Sequence, residues 1–301
     1  MRVPAQQHST ARLDRPGNDK LIQLYQNSEP NRWKDFVSVI SSKQGFERVL
    51  QYGGFGNAGI VNAGQAIETD DWQTPYYKDI TPKKRGILYF EASEVGETDQ
   101  TGVSKKVAKG IALAFLATKE AFVADFFNNM TATGSAYLGP DSKPLIATDH
   151  PNDTGTWTNR PATDIAFSAL ALEQAIQELA AQENHRGEAM PAEGPFDLHI
   201  PIGLMGVANR VVKASGLAQS ASNDPNWAGG MIRKICWNPR YTSSTAWGLK
   251  DIHAENLVLV QRRPIKTKAQ EVIEKDGEMR ATTEIYGAAV VNQRGFWGTT
   301  G

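Results

Sequence analysis

Between residues 64 and 130 the chain passes from strand-like to helical periodicity over an unusual length. Residues 64–73 and 86–95 read as two strands, joined by a charged, proline-punctuated connection at 74–85. Residues 101–130 then carry a stripe at spacings of three and four, namely Val103, Val107, Ile111, Phe115, Thr118, Phe122, Phe126 and Met130. That spacing predicts one long helix. Leu116, Val123 and Phe127 widen the stripe, while Lys105, Lys106, Lys109, Lys119 and Glu120 are assigned to the opposite, solvated face. Val107, Ile111, Phe115, Phe122 and Phe126 are its expected core. A helix of about 28 residues spans ~42 Å, and an isolated two-stranded ribbon is marginal in water. Both elements are therefore expected to pack on another subunit.

The charges of the expected hairpin fall in blocks. Asp70 and Asp71 end its first strand, Lys78, Lys83, Lys84 and Arg85 crowd its tip, and Glu91, Glu94 and Glu97 follow on the return, with Asp99. Opposite blocks separated along one ribbon suit pairing with a neighbouring copy, so these residues are the candidate intersubunit contacts.

Elsewhere the patterns are shorter. Residues 1–20 read as a polar arm, and 21–25, 33–40 and 46–52 as short amphipathic segments, read as small helices. Ser168 is a plausible N-cap for a helix over 168–184, and 203–215 reads as a third helix. Strands are expected at 196–200, 232–237, 246–250 and 257–260, and from 264 an alternating run turns at Asp276-Gly277 and returns through 279–291.

Composition narrows the function classes. The 301 residues are 40% hydrophobic and 22% charged, with a formal net charge of -1. That is globular composition, without the basic excess of a protein that grips a phosphate backbone. The single cysteine, Cys236, excludes an internal disulfide and sits in an apolar run as a buried hydrophobe. No secretory h-region is visible, and no apolar run approaches the ~18 residues of a membrane span.

Candidate chemistry is sparse. Gly54, Gly56 and Gly59 spell G-x-G-x-x-G. A dinucleotide site needs a strand before and a helix after this motif, and here the context reads reversed. Asp149 beside His150 sits in a proline-bounded loop without a nucleophile motif. The histidines His8, His150, His185, His199 and His253 show no metal-ligand spacing among themselves or with Cys236. No catalytic residue, cofactor or metal is expected. Trp227, Trp237, Tyr241, Trp247, Tyr286, Phe296 and Trp297 read as core or interface anchors, and the basic run 261–268 as a solvated strand edge.

The order of these stretches resembles the major capsid proteins of tailed bacteriophages, the Hong Kong 97-type fold, and within it the Mu-like major head subunits. FERVLQYGGFG at 46–56 resembles the end of an N-terminal arm, 64–95 the extended loop (E-loop), 103–130 the spine helix, and PLIATDHP at 144–151 a peripheral-domain segment. NPRYTSSTAWGL at 238–249 resembles a stretch of the axial domain, and EIYGAAVVNQRG at 284–295 the closing peripheral strand. The resemblance implies an α+β fold with an arm at 1–63, an E-loop at 64–100, a peripheral domain at 101–161 and 263–301 with its spine helix at 101–130, and an axial domain at 162–262. It implies a non-enzymatic subunit that forms pentamers and hexamers. These would close into an icosahedral shell around double-stranded DNA, without sequence recognition and without a membrane. Scaffold, portal and cement proteins are its implied partners, and its place would be the virion, after assembly in the host cytoplasm. No coiled-coil-like segment precedes the arm, so a separate scaffold or none is expected, without cleavage. A nanocompartment shell of encapsulin type, and a soluble enzyme using Asp149 and His150, are the alternatives.

Overall fold

The computed structural model describes residues 22–27, 29–53, 55–71, 74, 76–93, 103–190, 192–214, 216 and 226–301, the side chains of 103–105 excepted. Among the described residues two four-stranded sheets carry the fold. The first contains β1 (Ser38–Ser41), β4 (Lys83–Ala92), β10 (Leu257–Val272) and β11 (Gly277–Val290), in the order β1-β10-β11-β4. β1 runs parallel to β10, and the other pairs are antiparallel.

Successive residues of a strand point to opposite faces, and the run Leu257, Val258, Leu259, Val260 is apolar on both. One face is covered by the long helix α1 (Val103–Asn128), whose Leu116, Val123, Phe126 and Phe127 pack with Leu257, Leu259, Tyr286 and Val290. Toward its N-terminus Ala108, Ile111, Ala112 and Phe115 close on Ile265 and on Ile22 from the helical turn 22–27. On the other face Val258, Val260, Ala289 and Val291 bury Ile80 and pack against Val49. Those two side chains come from a separate two-stranded ribbon, β2 (Glu47–Gln51) and β3 (Tyr76–Ile80).

The second sheet has the order β12-β9-β7-β8: β7 (Phe196–Ile200), β8 (Ile232–Trp237), β9 (Trp247–Asp251) and β12 (Phe296–Thr299). Helices α2 (Ala169–Ala180) and α3 (Met205–Lys213) pack on it through Leu172, Ile176, Leu179 and Ala208. Ser168 caps α2 as its sequence predicts, its Oγ accepting from Ala171 N at 3.1 Å. A small hairpin, β5 (His150–Asn152) and β6 (Gly155–Trp157), lies between the sheets in sequence. β12 stitches the two cores. Phe296 belongs to the first and meets Phe36 edge-on at 5.7 Å, while Trp297 belongs to the second, 4.9 Å from Trp247.

Several expectations are corrected. Residues 64–71 form no strand, and 86–92 pairs with β11 rather than with them. The paired ribbon is instead 47–51 with 76–80. Pro82, which falls inside the expected hairpin tip, marks a corner where the chain leaves β3 and enters the first sheet as β4. That corner rides on β11: a Cβ on Gly287 would stand 2.8 Å from the Thr81 carbonyl oxygen, so only glycine admits the crossing. The segment 46–52, read as helical, is strand β2, and 33–40 is a 3-10 turn (Arg32–Asp35) followed by β1. FERVLQY fits either period, and pairing with β3 decides it. Sheet membership crosses the expected units. β1, expected in the arm, and 257–262, expected in the axial domain, belong to the first sheet, and β12 joins the second.

Replacing Phe115, only 3% exposed, with aspartate puts an unpaired charge between α1 and Ile265. Urea unfolding followed by tryptophan fluorescence is expected to lose its cooperative transition. A wild-type midpoint would contradict this packing.

Candidate assembly surfaces

Two charged residues assigned to the solvated face of α1 are buried. Lys119 Nζ reaches Glu284 Oε1 on β11 at 2.5 Å, with both side chains under a tenth exposed. The ammonium also lies 4.8 Å from the Tyr286 ring centroid and 5.1 Å from that of Trp33. Burial pulls it below the usual lysine range, against the opposing pull of Glu284. Next along the helix, Glu120 accepts from Trp33 N at 3.1 Å and from Asn238 Nδ2 at 3.0 Å. Burial lifts its carboxyl, and those two donors partly offset the lift. One turn of α1 thus grips β11, the segment before β1, and the segment after β8.

The candidate intersubunit residues are not gathered at one tip. Lys78 donates to the Leu138 carbonyl at 2.7 Å and anchors the ribbon base to its own chain. Arg85 lies over the Phe122 and Tyr286 rings at 4.5 and 4.0 Å and donates to the Tyr286 carbonyl. Lys83 and Lys84 are exposed beside that corner. Glu91 faces Arg280 at 3.4 Å at the far end of the sheet. Asp70 is held by Arg186, and Asp71 is exposed. Glu94 and Glu97 lie outside the described residues. Along α1, Ile111, Phe115 and Phe126 are buried, and Val107 and Phe122 are half-buried against the clusters.

The surface that needs covering lies between the ribbon strands. From 55 to 67 the chain has no charged side chain. It has no regular secondary structure, and Phe55, Ile60, Val61 and Ile67 stand in solvent, Ile60 at 94% exposure. Phe46, Leu50, Tyr52 and Tyr77 extend this apolar surface down the ribbon. A second exposed group, Ile87, Leu88 and Phe90, sits on β4, the edge strand of the first sheet. Contiguous exposed apolar surface of this kind marks an interaction site. Periodicity could not reveal it, because the segment has none; its lack of charge was the available signal.

The chemistry expected nowhere is built into structural knots. His150 is fully buried, with Nδ1 2.7 Å from Asp141 Oδ2, Nε2 3.1 Å from Asn159 Oδ1, and its ring stacked on Trp157. Its sequence neighbour Asp149 points away to Lys143. The Asp149-His150 pair of the enzyme alternative therefore does not form; His150 is held instead by Asp141 in the interior. Cys236 is buried, and burial pushes its thiol up to about 12. Among the described residues no group of three His, Cys, Asp or Glu side chains gathers to hold a metal, and no helix is long and apolar enough to cross a membrane.

No family model matches the sequence, and no curated protein matches it. Solved structures do. The capsid of an empty GTA particle is similar at a TM-score of 0.56 and 12% identity, over 90% of this chain and 89% of that one. A virus-like particle from Pyrococcus furiosus is similar at 0.53 and 11%, over 94% and 97%. The procapsid of bacteriophage JBD30 is similar at 0.50 and 13%, over 94% and 72%. The chain has the Hong Kong 97-type capsid fold. At these identities the likeness establishes architecture. The Hong Kong 97-type fold accounts for the α+β layout, with a long helix across one sheet and a ribbon leaving the other face.

Lys119→Met strands the Glu284 carboxylate in the interior, an error worth about 3–5 kcal/mol. Adding Glu284→Met is expected to recover most of the loss in urea unfolding; additive losses would contradict the pairing. His199 provides a pH test. It is buried against Phe36 at 5.1 Å, and burial, with Lys250 and Lys234 nearby, lowers its pKa to about 3. The folded state keeps it neutral while the unfolded chain takes up a proton below 6.5. Its contribution is therefore intact above that pH and is lost as pH falls toward 3. His199→Phe is expected to melt with a shallower decline between pH 7 and 4 than wild type; an equal slope would contradict it.

Proposed function

We propose that this chain is the major capsid subunit of a tailed bacteriophage. It forms pentamers and hexamers that close into an icosahedral shell around packaged double-stranded DNA. The observation that carries this reading is the uncharged, exposed 55–67 loop on a fold whose relatives of matching length are capsid subunits. Burying four such apolar side chains yields roughly 6–12 kcal/mol gross at about 1.5–3 kcal/mol each, before the costs of association. Contacts of this size are individually modest, and a closed shell multiplies them. The near-neutral net charge suits a container that encloses DNA without reading it. The ribbon of β2 and β3, rather than 64–100, takes the E-loop role here, with 55–71 as its projecting part. The sheet that contains β10 and β11 takes the peripheral role, and the sheet built around β7 to β9 the axial one.

The test replaces 55–67 with a short Gly-Ser linker. Wild type is expected to give capsomers or closed shells by sedimentation and electron microscopy, and the variant to stay as small soluble species with an unchanged melt. Discrete wild-type monomers at every concentration, or wild-type shells from the variant, would contradict the proposal. Nucleic acid in native particles supports the phage reading, and an enclosed protein would point to a nanocompartment instead.

A further inference from the structure

Gly56, part of the motif that resembles a phosphate loop, lies against a guanidinium. A Cβ at this position would stand 2.8 Å from Arg186 Nη1. Gly56 N donates to Asp70 Oδ2 at 2.6 Å, and Arg186 Nη2 donates to Asp70 Oδ1 at 2.9 Å and to the Asp71 carbonyl at 2.8 Å. Asn57 N donates to Glu188 Oε1 at 3.1 Å. The two ends of the loop therefore close on one turn of their own subunit, residues 183–188. The Asp70 carboxyl is held below its usual range, first by the Gly56 N–H and then by Arg186.

That turn is built independently of the loop. Asn184 Oδ1 accepts from Arg186 N at 2.9 Å and from Glu188 N at 3.0 Å, and Asn184 Nδ2 donates to Glu188 Oε2 at 3.0 Å. Arg294 Nε donates to the Glu183 carbonyl at 2.6 Å, and Asn152 Nδ2 to Glu183 Oε2 at 2.7 Å. Arg186 and Glu188 thus stand on a fixed base. Between the two pins, residues 57–69 are exposed throughout, Ile67 at 78%. The contact gathers the loop at its neck and leaves its apolar stretch in view.

We infer that Arg186 is a clamp that fixes the neck of the 56–71 loop on its own subunit, so that 57–67 meets a neighbouring copy already ordered. This deepens the reading of the chain as a shell subunit and rests on it. Ordering a loop before association removes part of the entropic cost of binding. An exposed ion pair is weak and screened by salt, so the clamp is reversible and favours one loop geometry without freezing it. Asp70, expected to face another copy, acts here through its own chain.

The test uses the full chain and two readouts. In unassembled subunits, Arg186→Ala is expected to speed amide exchange at Gly56 and Asn57 about tenfold, with the melting midpoint unchanged. Shell formation followed by light scattering is expected to slow by about tenfold. Arg186→Lys keeps the charge but loses the planar fork, and is expected to fall between. Gly56→Val is expected to reproduce the Ala defect with Arg186 intact. Unchanged exchange, or assembly of Arg186→Ala at or above the wild-type rate, would overturn the clamp. If wild type never assembles, the shell reading fails, and the exchange readout still decides whether the neck is clamped.

Discussion

A cation and an anion sit next to each other at the middle of the long helix, and both are buried. Lys119 reaches across to Glu284 in the first sheet, while Glu120 holds the backbone before β1 and the side chain of Asn238 after β8. Buried charges are costly unless paired, so each of these groups demands its partner in one geometry. The consequence is positional. Three stretches of chain far apart in sequence are fixed against a single helical turn, and the helix can neither slide along the sheet nor rotate without stranding a charge.

The ribbon is the chief projection. Its base is secured by Ile80 and Val49 on the back of the first sheet, by Lys78 on the Leu138 carbonyl, and by Gln51 on Asn292 at 2.9 Å. Among the described residues of its outer part, 57–71 are exposed throughout, Ile60 and Ile67 the most of its large apolar side chains. A rigid base with an uncharged, exposed end is poor design for a free monomer and sound design for a subunit that is covered by neighbours. The second sheet is joined to the first through Phe296 and Trp297, and the connection from α2 to β7 carries the turn on which the neck of the loop rests.

Local pattern made much of this legible. The helix appears because its stripe persists from Val107 to Met130, the Ser168 cap because a hydroxyl precedes an apolar periodic run, and the reversal before Gly277 because Asp276 accepts a left-handed conformation, φ 41°. The order of such elements was enough to indicate the fold. What failed is pairing at a distance. Lys119 looks like a surface lysine until Glu284 arrives from 165 residues away, and Asp70 looks free until Arg186 arrives from 116. β2 fits two periods, and only its partner chooses between them. The motif of Gly56 is a spacing, and its chemistry is set by the guanidinium packed on it. Asp149 and His150 are adjacent in sequence but do not pair: the fold gives His150 Asp141 from nine residues away.

The central claim is that function resides in contacts between copies, centred on the 55–67 loop. Electron cryomicroscopy of assembled particles tests it most directly, by locating Ile60 and Ile67. The account predicts that both side chains are buried against a neighbouring subunit while Asp70 stays on Arg186 of its own chain. Particles in which that loop remains in solvent would contradict it.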